Sequence, residues 1–421
     1  MATSKWVAGA VLVVLSGTTS AANKPVSDAE VRKVQKSAIL IDTHNDVTSD
    51  TVAGLDIGKA RDEGHSDIPR MRAGGIGAQF FAIYVAANYV EGNRSAHRTL
   101  EMIDTVRHDI IEGHPNDFVF ATTAADIEKA HKKGKIAALM GIEGGHAIED
   151  SLRLLRDYYA LGVRYMTLTH VNSNHWADSS GDTNKPNNGL TEFGKRVVLE
   201  MNRLGMIVDI SHVADKTFYD ALEVSQAPIF ASHSSCRALT NVPRNMTDEM
   251  ITALAKKGGV IQINFNCGFL SQKSADADAV HGPEVMKRFL ELEATYKNDP
   301  KGLLQARQKL NAEYAKTAVR ASLDDVVAHI DHVVKLAGVD HVGLGSDFDG
   351  VECTPIGLDD TSKFPNLTRA LLEKGYSAKD IRKIYGGNTL RLMRDVERTA
   401  AQLSKTPAAP DPAPIQVSEA R

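Results

Sequence analysis

One stretch, Ile39-Leu-Ile-Asp-Thr-His44-Asn-Asp46, ends an apolar run in a His-x-Asp pair. On an extended strand, residues two apart point to the same side, so the imidazole of His44 and the carboxylate of Asp46 converge beyond the strand end. Such a pair can chelate a metal ion, although the same pattern is also common in solvated turns. What favours the metal site is that the pattern recurs.

Apolar runs stop at a metal-ligand or acid-base side chain at five further places. The runs 137–142, 165–169, 206–211, 228–232 and 342–346 end at Glu143, His170, His212, His233 and Asp347. Two more runs, 78–84 and 260–264, complete eight predicted strands, with helix-length segments between them. Such a pattern is typical of an α/β fold, the (β/α)8 TIM-like barrel. Because all strands of that barrel open on one face at their carboxyl ends, we expect these side chains to be neighbours.

Composition fits one barrel and a small substrate. The 421 residues are 43% hydrophobic and 24% charged, with a formal net charge of −4. We see no basic stripe, so nucleic acid is not an expected partner. Cys236, Cys267 and Cys353 lack Cys-x-x-Cys spacing, which argues against a thiolate zinc site; one disulfide among them is compatible with the sequence, and the pair stays open.

The domain organisation is read from composition along the chain. Residues 1–22 predict a signal peptide, because an apolar stretch follows Lys5 and small residues lead up to Ala22. Export to a periplasm or the extracellular space is therefore expected. Residues 23–400 are assigned to the barrel and residues 401–421, rich in Pro and Ala, to a disordered tail. The tail lacks the terminal apolar stretch of a glycolipid-anchor signal, so no stable membrane anchor is expected.

A charged helical insertion is predicted at about 271–321, before the eighth strand. It is either a solvated helical hairpin or a lid or oligomer contact above the strand ends. His329 and His332, three apart on a later helix over 324–337, are interpreted as a solvated face rather than half of a metal site. Asp209 would point away from His212 on an ideal strand, so it could at most support a ligand from behind, and it is left out of the list of site residues.

The candidate ligands point to two metal ions. All are nitrogen or oxygen donors, a set that suits zinc, namely His44, Asp46, Glu143, His212 and His233. A catalytic zinc usually takes three protein ligands, so five imply two ions, with the Glu143 carboxylate as the bridge. Paired ions can trap a water, lower its pKa towards neutrality and polarise a carbonyl, which is hydrolase chemistry.

These motifs resemble the membrane (renal) dipeptidase family of the amidohydrolase superfamily. The similarity runs from about Ile39 to about Glu397, and its motifs are Ile-Asp-Thr-His44-Asn-Asp46, Gly-Ile-Glu143-Gly-Gly, Leu-Thr-His170, Asp-Ile-Ser-His212, Ser-His233-Ser-Ser, Pro-Arg244-Asn245 and Gly-Ser-Asp347-Phe-Asp-Gly. The resemblance implies two zinc ions, dipeptide substrates and a homodimer. It matches the five ligands above to the family's zinc ligands, with Glu143 as the bridge and with catalytic involvement. His170, Arg244 and Asp347 match its substrate and catalytic positions, and Asn245 is grouped with the substrate-binding residues.

The three roles also follow from physical chemistry. His170 can donate to the oxyanion that develops on the carbonyl, and the planar fork of Arg244 suits a substrate carboxylate. Asp347 can accept the substrate ammonium and carry a proton from the attacking water to the leaving nitrogen. A site that pairs both ends rejects longer peptides, because one buried partner would stay unmet. The alternatives are a loop salt bridge for Arg244 and a structural role for Asp347.

Two other functions are weighed. The same metal centre can serve an amidohydrolase acting on N-acyl amino acids, lactams or lactones, because pocket loops decide the substrate. A metal-free binding barrel is disfavoured, since competent side chains fill all five ligand positions. The resemblance leaves open whether a C-terminal D-residue is accepted and whether β-lactams are side substrates.

Overall fold

A computed structural model of the chain describes residue 1 and residues 25–296, 299–405 and 407–409. The predicted signal peptide at 1–22 lies outside the described residues except for Met1. The predicted tail at 401–421 is described only over 401–405, where the last helix ends at Leu403, and over 407–409. Within the described part of the chain, no helix combines the length and apolar character needed to cross a bilayer.

Nine parallel strands lie in the described residues, and eight of them close into a barrel. They are β1 Leu40–Asn45, β2 Ile76–Tyr84, β3 Phe118–Phe120, β4 Ile136–Glu143, β5 Val163–Thr167, β6 Ile207–Asp209, β7 Phe230–Ser234, β8 Val260–Ile263 and β9 Val342–Leu344. The ring runs β1-β2-β4-β5-β6-β7-β8-β9 and returns to β1. The predicted (β/α)8 barrel is therefore confirmed.

The strands differ from the prediction in two respects. The short strand β3 lies outside the ring and pairs with the start of β4. The fifth and eighth barrel strands, β6 and β9, also end earlier than predicted, at Asp209 and Leu344. Beyond them the backbone leaves the extended region, and both His212 (φ 66°) and Asp347 (φ 63°) adopt a left-handed conformation.

Helices fill the connections between the strands. They are α1 Asp28–Ser37, α2 Val47–Thr51, α3 Ile68–Gly74, α4 Ser95–Asp104, α5 Ala124–Lys132, α6 Leu152–Leu161, α7 Glu192–Leu204, α8 Asp215–Val224, α9 Asp248–Lys256, α10 Cys267–Leu270, α11 Gln272–Thr295, α12 Pro300–Ala315, α13 Leu323–Ala337, α14 Phe364–Glu373, α15 Ala378–Arg382 and α16 Asn388–Leu403. Sequence sets their starts: at α13, for example, Ser322 and Asp325 form a reciprocal capping box that satisfies two free backbone N–H groups.

Aromatic side chains pack across the barrel interior. Tyr165 of β5 contacts Phe80 of β2 and Phe230 of β7, with ring centroids 5.4 and 5.3 Å apart. These strands are not neighbours in the ring, so the contacts cross the lumen. A Cβ on Gly141 would lie 1.9 Å from Cζ of Tyr165, so only glycine leaves room for this ring. The packing fixes the Tyr165 hydroxyl just below the strand ends.

The insertion before β9 is helical, as predicted. It consists of α11 and α12, which are joined by an ion pair between Arg288 and Glu313 at 2.8 Å. A disulfide between Cys267 and Cys353 ties the start of the insertion to the loop after β9, and Cys236 stays a buried free thiol.

The predicted solvated face on α13 is wrong for His329. That residue is fully buried. Its Nδ1 accepts the backbone N–H of Cys236 at 3.0 Å, and its Nε2 donates to the carbonyl of Leu270 at 3.0 Å. Both nitrogens are therefore used in packing α13 against neighbouring loops. His332, which is half-buried, lies 2.8 Å from the carboxylate of Asp248.

Candidate metal centre

The five predicted ligands come together at the carboxyl end of the barrel. His44 lies in β1 and His233 in β7, Glu143 is the last residue of β4, and Asp46 and His212 follow β1 and β6 closely. The positive φ of His212 is costly for a residue with a side chain. Strain of this kind is typical of functional sites, where the direction of a side chain outweighs backbone preference.

A first donor group consists of His44, Asp46 and Glu143. The Nε2 atom of His44 lies 3.2 Å from Oδ2 of Asp46 and 3.5 Å from Oε2 of Glu143. All three ligand atoms are within 4.8 Å of one another, and all three residues are buried. Neither Nε2 of His44 nor Oδ2 of Asp46 has a hydrogen-bond partner among the described residues. Because buried polar atoms are nearly always satisfied, this pair is suited to a cation.

A second donor group consists of Glu143, His212 and His233. The Oε1 atom of Glu143 lies 3.0 Å from Nε2 of His212 and 3.2 Å from Nε2 of His233. The two Nε2 atoms are 2.9 Å apart. One imidazole can donate to the other, but a shared cation satisfies both lone pairs. Glu143 thus turns one oxygen to each donor group.

Asp347 faces the same centre from the loop after β9. Its Oδ1 lies 3.9 Å from Nε2 of His44, and the residue forms a third group of convergent donors with His44 and His233. Its Oδ2 accepts a hydrogen bond of 2.7 Å from the side-chain amide of Asn264. One carboxylate oxygen is therefore anchored to the barrel, and the other is directed towards the centre.

The protonation behaviour of the cluster reflects its burial. Burial raises the pKa of Asp46 to about 7. In Glu143 burial acts the same way, but the imidazoles of His44 and His170 outweigh it and hold the pKa well below its usual value. Burial lowers the pKa of His212 and His233 well below the ordinary range, so both are neutral nitrogen donors. A cation beside Asp46 would remove the cost of its buried negative charge.

The donor chemistry fits two zinc-like ions. Imidazole nitrogens and carboxylate oxygens are zinc ligands, and neither donor group contains sulfur. Each group supplies three residues, with Glu143 common to both. Three protein ligands leave a position open, which is the arrangement of catalytic rather than structural zinc.

His170 lies at the edge of this cluster. Its Nε2 is 3.8 Å from Oε1 of Glu143, and its ring contacts the rings of Tyr84 and His212 with centroids 5.0 and 4.6 Å away. Burial lowers its pKa, so the ring is neutral and carries one N–H. Its Nδ1 is buried without a hydrogen-bond partner in the described part of the chain.

Arg244 borders the second donor group. It donates from Nη1 to the hydroxyl of Ser234 at 2.7 Å and from Nη2 to the carbonyl of His233 at 2.6 Å, and it lies over the ring of Phe269. No carboxylate of the described residues is within ion-pair distance, so the alternative of a loop salt bridge is not met. Its Nε is buried and has no hydrogen-bond partner within the described part of the chain. A guanidinium in this state is suited to an anionic ligand.

Asn245 is expected among the substrate-binding residues, but the donors of its side-chain amide already bond to the protein. Its amide nitrogen donates to the carbonyls of Thr240 and Phe269, both at 2.9 Å. Only Oδ1 is without a partner among the described residues. These bonds order the loop that carries Arg244.

Buried residues hold the ligands in place. Tyr165, which the sequence does not single out, hydrogen-bonds Nδ1 of His44 at 2.7 Å, and Asp209 bonds Ser232, which in turn lies 2.7 Å from Nδ1 of His233. The expectation that Asp209 could at most support a ligand from behind agrees with this position, where the residue is wholly buried. The signal for such a role is a charged residue inside an apolar run, since an unpaired carboxylate is rarely buried.

Comparison with known proteins identifies relatives. A family model described as membrane dipeptidase (peptidase family M19) matches residues 28–407. An uncharacterised dipeptidase of Schizosaccharomyces pombe is 34% identical over 403 residues, covering 91% of this chain and 86% of that protein. The solved structure of a probable dipeptidase, PvdM of Pseudomonas aeruginosa, has a TM-score of 0.73 and 26% identity, covering 89% of this chain and 99% of that one. A metallopeptidase of Rhodobacter sphaeroides, liganded with a phosphinate mimic of the dipeptide L-Ala-D-Ala, has a TM-score of 0.67 and 27% identity, covering 85% and 99%.

Proposed function

Because this chain belongs to the membrane dipeptidase family of metal-dependent hydrolases, we propose that it cleaves the single peptide bond of free dipeptides with two zinc ions at the barrel mouth. The observation that carries the proposal is the position of Glu143, whose two oxygens face two separate groups of donors. Family membership supports the reaction class, and the donor groups support the number of ions.

Each ion has a defined set of ligands in this proposal. His44, Asp46 and Glu143 would hold one, and Glu143, His212 and His233 would hold the other. Bound there, the ions would supply Lewis acidity for the scissile carbonyl and a water of lowered pKa as the nucleophile. The neutral imidazoles of His212 and His233 present lone pairs without first losing a proton.

The ends of the substrate are bound by two charged residues. The free Oδ1 of Asp347 accepts the substrate ammonium, while Asn264 keeps the other oxygen in place. The guanidinium of Arg244, which has no carboxylate partner among the described residues, takes the substrate carboxylate. A longer or blocked peptide leaves the buried carboxylate of Asp347 or the half-buried guanidinium of Arg244 without a partner. The free energy lost in this way exceeds what the extra contacts of the peptide contribute.

Two residues act on the reacting atoms. The N–H of the neutral His170 imidazole donates to the oxyanion as it develops on the carbonyl carbon. Asp347 accepts the proton released by the attacking water and delivers it to the leaving nitrogen, because one carboxylate oxygen is directed to the centre. Asn245 contributes by ordering the Arg244 loop rather than by donating to substrate.

A C-terminal D-residue is accepted in this proposal. The support is the Rhodobacter sphaeroides relative, which was solved with a mimic of L-Ala-D-Ala. The test compares kcat/KM for L-Ala-D-Ala and L-Ala-L-Ala on zinc-loaded protein. Hydrolysis of the D-form at a rate within tenfold of the L-form supports the proposal, and no hydrolysis of the D-form contradicts it.

A substrate panel tests the proposed activity. Zinc-loaded protein is assayed on a free dipeptide, its N-acetyl and C-amide derivatives, and a tripeptide that extends it by one residue. Cleavage of the free dipeptide at least about 100-fold faster than the others is expected, because each blocked substrate leaves a buried charge without its partner. Equal turnover of the N-acetyl substrate would favour the N-acyl amino acid alternative.

We also propose that the protein is exported and works as a homodimer. The disulfide between Cys267 and Cys353 supports an oxidising compartment. Cell fractionation and sedimentation analysis of the protein test the proposal. Recovery in the cytoplasmic fraction, or a monomer at micromolar concentration, would contradict it.

A further inference from the structure

Asp209 is a buried carboxylate that the proposed reaction does not use. Its Oδ1 accepts the backbone N–H groups of Ser211 at 3.1 Å and Ser232 at 2.8 Å. Its Oδ2 accepts the hydroxyl groups of Thr167 at 2.5 Å and Ser232 at 2.6 Å. In all four hydrogen bonds the Asp209 oxygens are the acceptors.

The bonding of Ser232 fixes the direction of the next hydrogen bond. A hydroxyl has a single proton, and Ser232 donates it to Oδ2 of Asp209 at 2.6 Å. The serine oxygen must therefore accept from Nδ1 of His233, which lies 2.7 Å away. With its proton on Nδ1, the neutral imidazole has its lone pair on Nε2. That atom is the one directed at Glu143, 3.2 Å away.

A second buried carboxylate in the barrel, Asp42, also bonds a serine, but that serine does not go on to bond a histidine ring. Asp42 accepts the backbone N–H of Ser346 at 2.8 Å and its hydroxyl at 2.6 Å. The Ser346 oxygen in turn accepts the N–H of Phe348, and its hydroxyl lies 3.2 Å from the backbone carbonyl of His44, but it bonds no imidazole nitrogen of the described residues. Asp42 therefore joins β1 to the end of β9, whereas Asp209 joins strands and also reaches a histidine.

We propose that Asp209, acting through Ser232, is a positioning residue that sets the tautomer of His233 and so prepares the second donor group for its metal ion. The proposal rests on the proposed function, since it requires that an ion bind there. Without the hydrogen bonds from Asp209 through Ser232, His233 can carry its proton on Nε2 instead of Nδ1. Nε2 then donates to Glu143 and has no lone pair for the ion. Hydrogen-bond partners of this kind typically change metal affinity by about 10- to 100-fold.

The test is a zinc competition titration of the metal-free full-length protein against a chromophoric chelator. The variants are Ser232→Ala, Asp209→Asn and their combination, with Ser346→Ala as the matched control. We expect Ser232→Ala to weaken one of the two zinc-binding steps by about 10- to 100-fold and to leave the other within about threefold. The double variant should be no weaker than Ser232→Ala, because the two residues act in one chain.

Several outcomes would overturn the proposal. Wild-type affinity in Ser232→Ala, additive losses in the double variant, or an equal loss in Ser346→Ala would each show that the hydroxyl acts only in packing. If Asp209→Asn does not fold, as judged by near-ultraviolet circular dichroism, Ser232→Ala against Ser346→Ala decides alone. A wild-type protein that binds no zinc would instead refute the proposed function.

Discussion

Glu143 places its Oε1 atom 3.0 Å from Nε2 of His212, while its Oε2 atom lies 3.5 Å from Nε2 of His44. One side chain thus reaches both donor groups, and Glu143→Gln would keep its size while removing its charge. We expect bound zinc to fall below two ions per chain. Because metal-ion stabilisation of the transition state is worth several kcal/mol, kcat/KM should fall at least about 1000-fold.

Zinc analysis after gel filtration and dipeptide hydrolysis measure both effects. Glu192, which is exposed at the start of α7, provides the control, and Glu192→Gln should keep two ions and activity within about twofold. A Glu143→Gln protein with two ions and wild-type turnover would show that the bridge is not needed.

Gly350 lies against the acidic side of the site. A Cβ there would be 2.3 Å from Oδ2 of Asp46 and 2.6 Å from Oδ1 of Asp347, so Gly350→Ala must displace one carboxylate. Because a misplacement near 1 Å can cost about 100-fold, kcat/KM should fall by about 10- to 100-fold. Gly282→Ala is the control, since a Cβ there meets no atom within 4 Å. Equal activities of the two variants would show that the acidic pair is free to move.

Arg244 is expected to pair with the substrate carboxylate. Arg244→Met should lower kcat/KM for a free dipeptide by about 100-fold, since a charged hydrogen bond is worth about 1.5–3 kcal/mol. The same variant should treat the dipeptide and its C-terminal amide alike, whereas the wild type prefers the free acid. An undiminished preference for the free acid in Arg244→Met would place the carboxylate elsewhere.

The stability of the protein should fall in mild acid because of His329. Burial lowers the pKa of this histidine from 6.5 to about 4, so it is neutral when folded and charges on unfolding. Its contribution is complete above pH 6.5 and is lost as the pH falls towards 4; at pH 5 the loss is about 2 kcal/mol. Urea unfolding between pH 7.5 and 5 measures the slope, and His329→Gln should flatten it. If the free energy of unfolding changed with pH equally in the wild type and in His329→Gln, other groups would be responsible for the pH dependence.

The sequence was informative wherever an apolar run ended in a ligand. His44, Glu143 and His233 lie at or near strand ends, and a barrel brings all strand ends to one face. The barrel topology therefore predicts that these side chains lie close together. The residue types then indicate metal binding, because imidazole and carboxylate donors narrow the choice of metal.

Other features depended on backbone detail that periodicity does not contain. The strand before His212 ends at Asp209, and the left-handed φ of His212 breaks the alternation assumed for an ideal strand. Strict alternation places Asp209 on the face opposite His212, and the pattern alone therefore leaves it out of the list of site residues. The sequence predicts a solvated position for His329 because its partners, the carbonyl at the end of α10 and the backbone N–H of Cys236, are distant in sequence. The pairing of Cys267 with Cys353 likewise depends on where two loops meet.

The central claim is that two metal ions share the carboxylate of Glu143. Anomalous diffraction at the zinc edge, from crystals of the zinc-loaded protein, tests it most directly. We predict two peaks, one beside His44 and Asp46 and one beside His212 and His233, with Glu143 between them. A single peak, or peaks away from Glu143, would contradict the account.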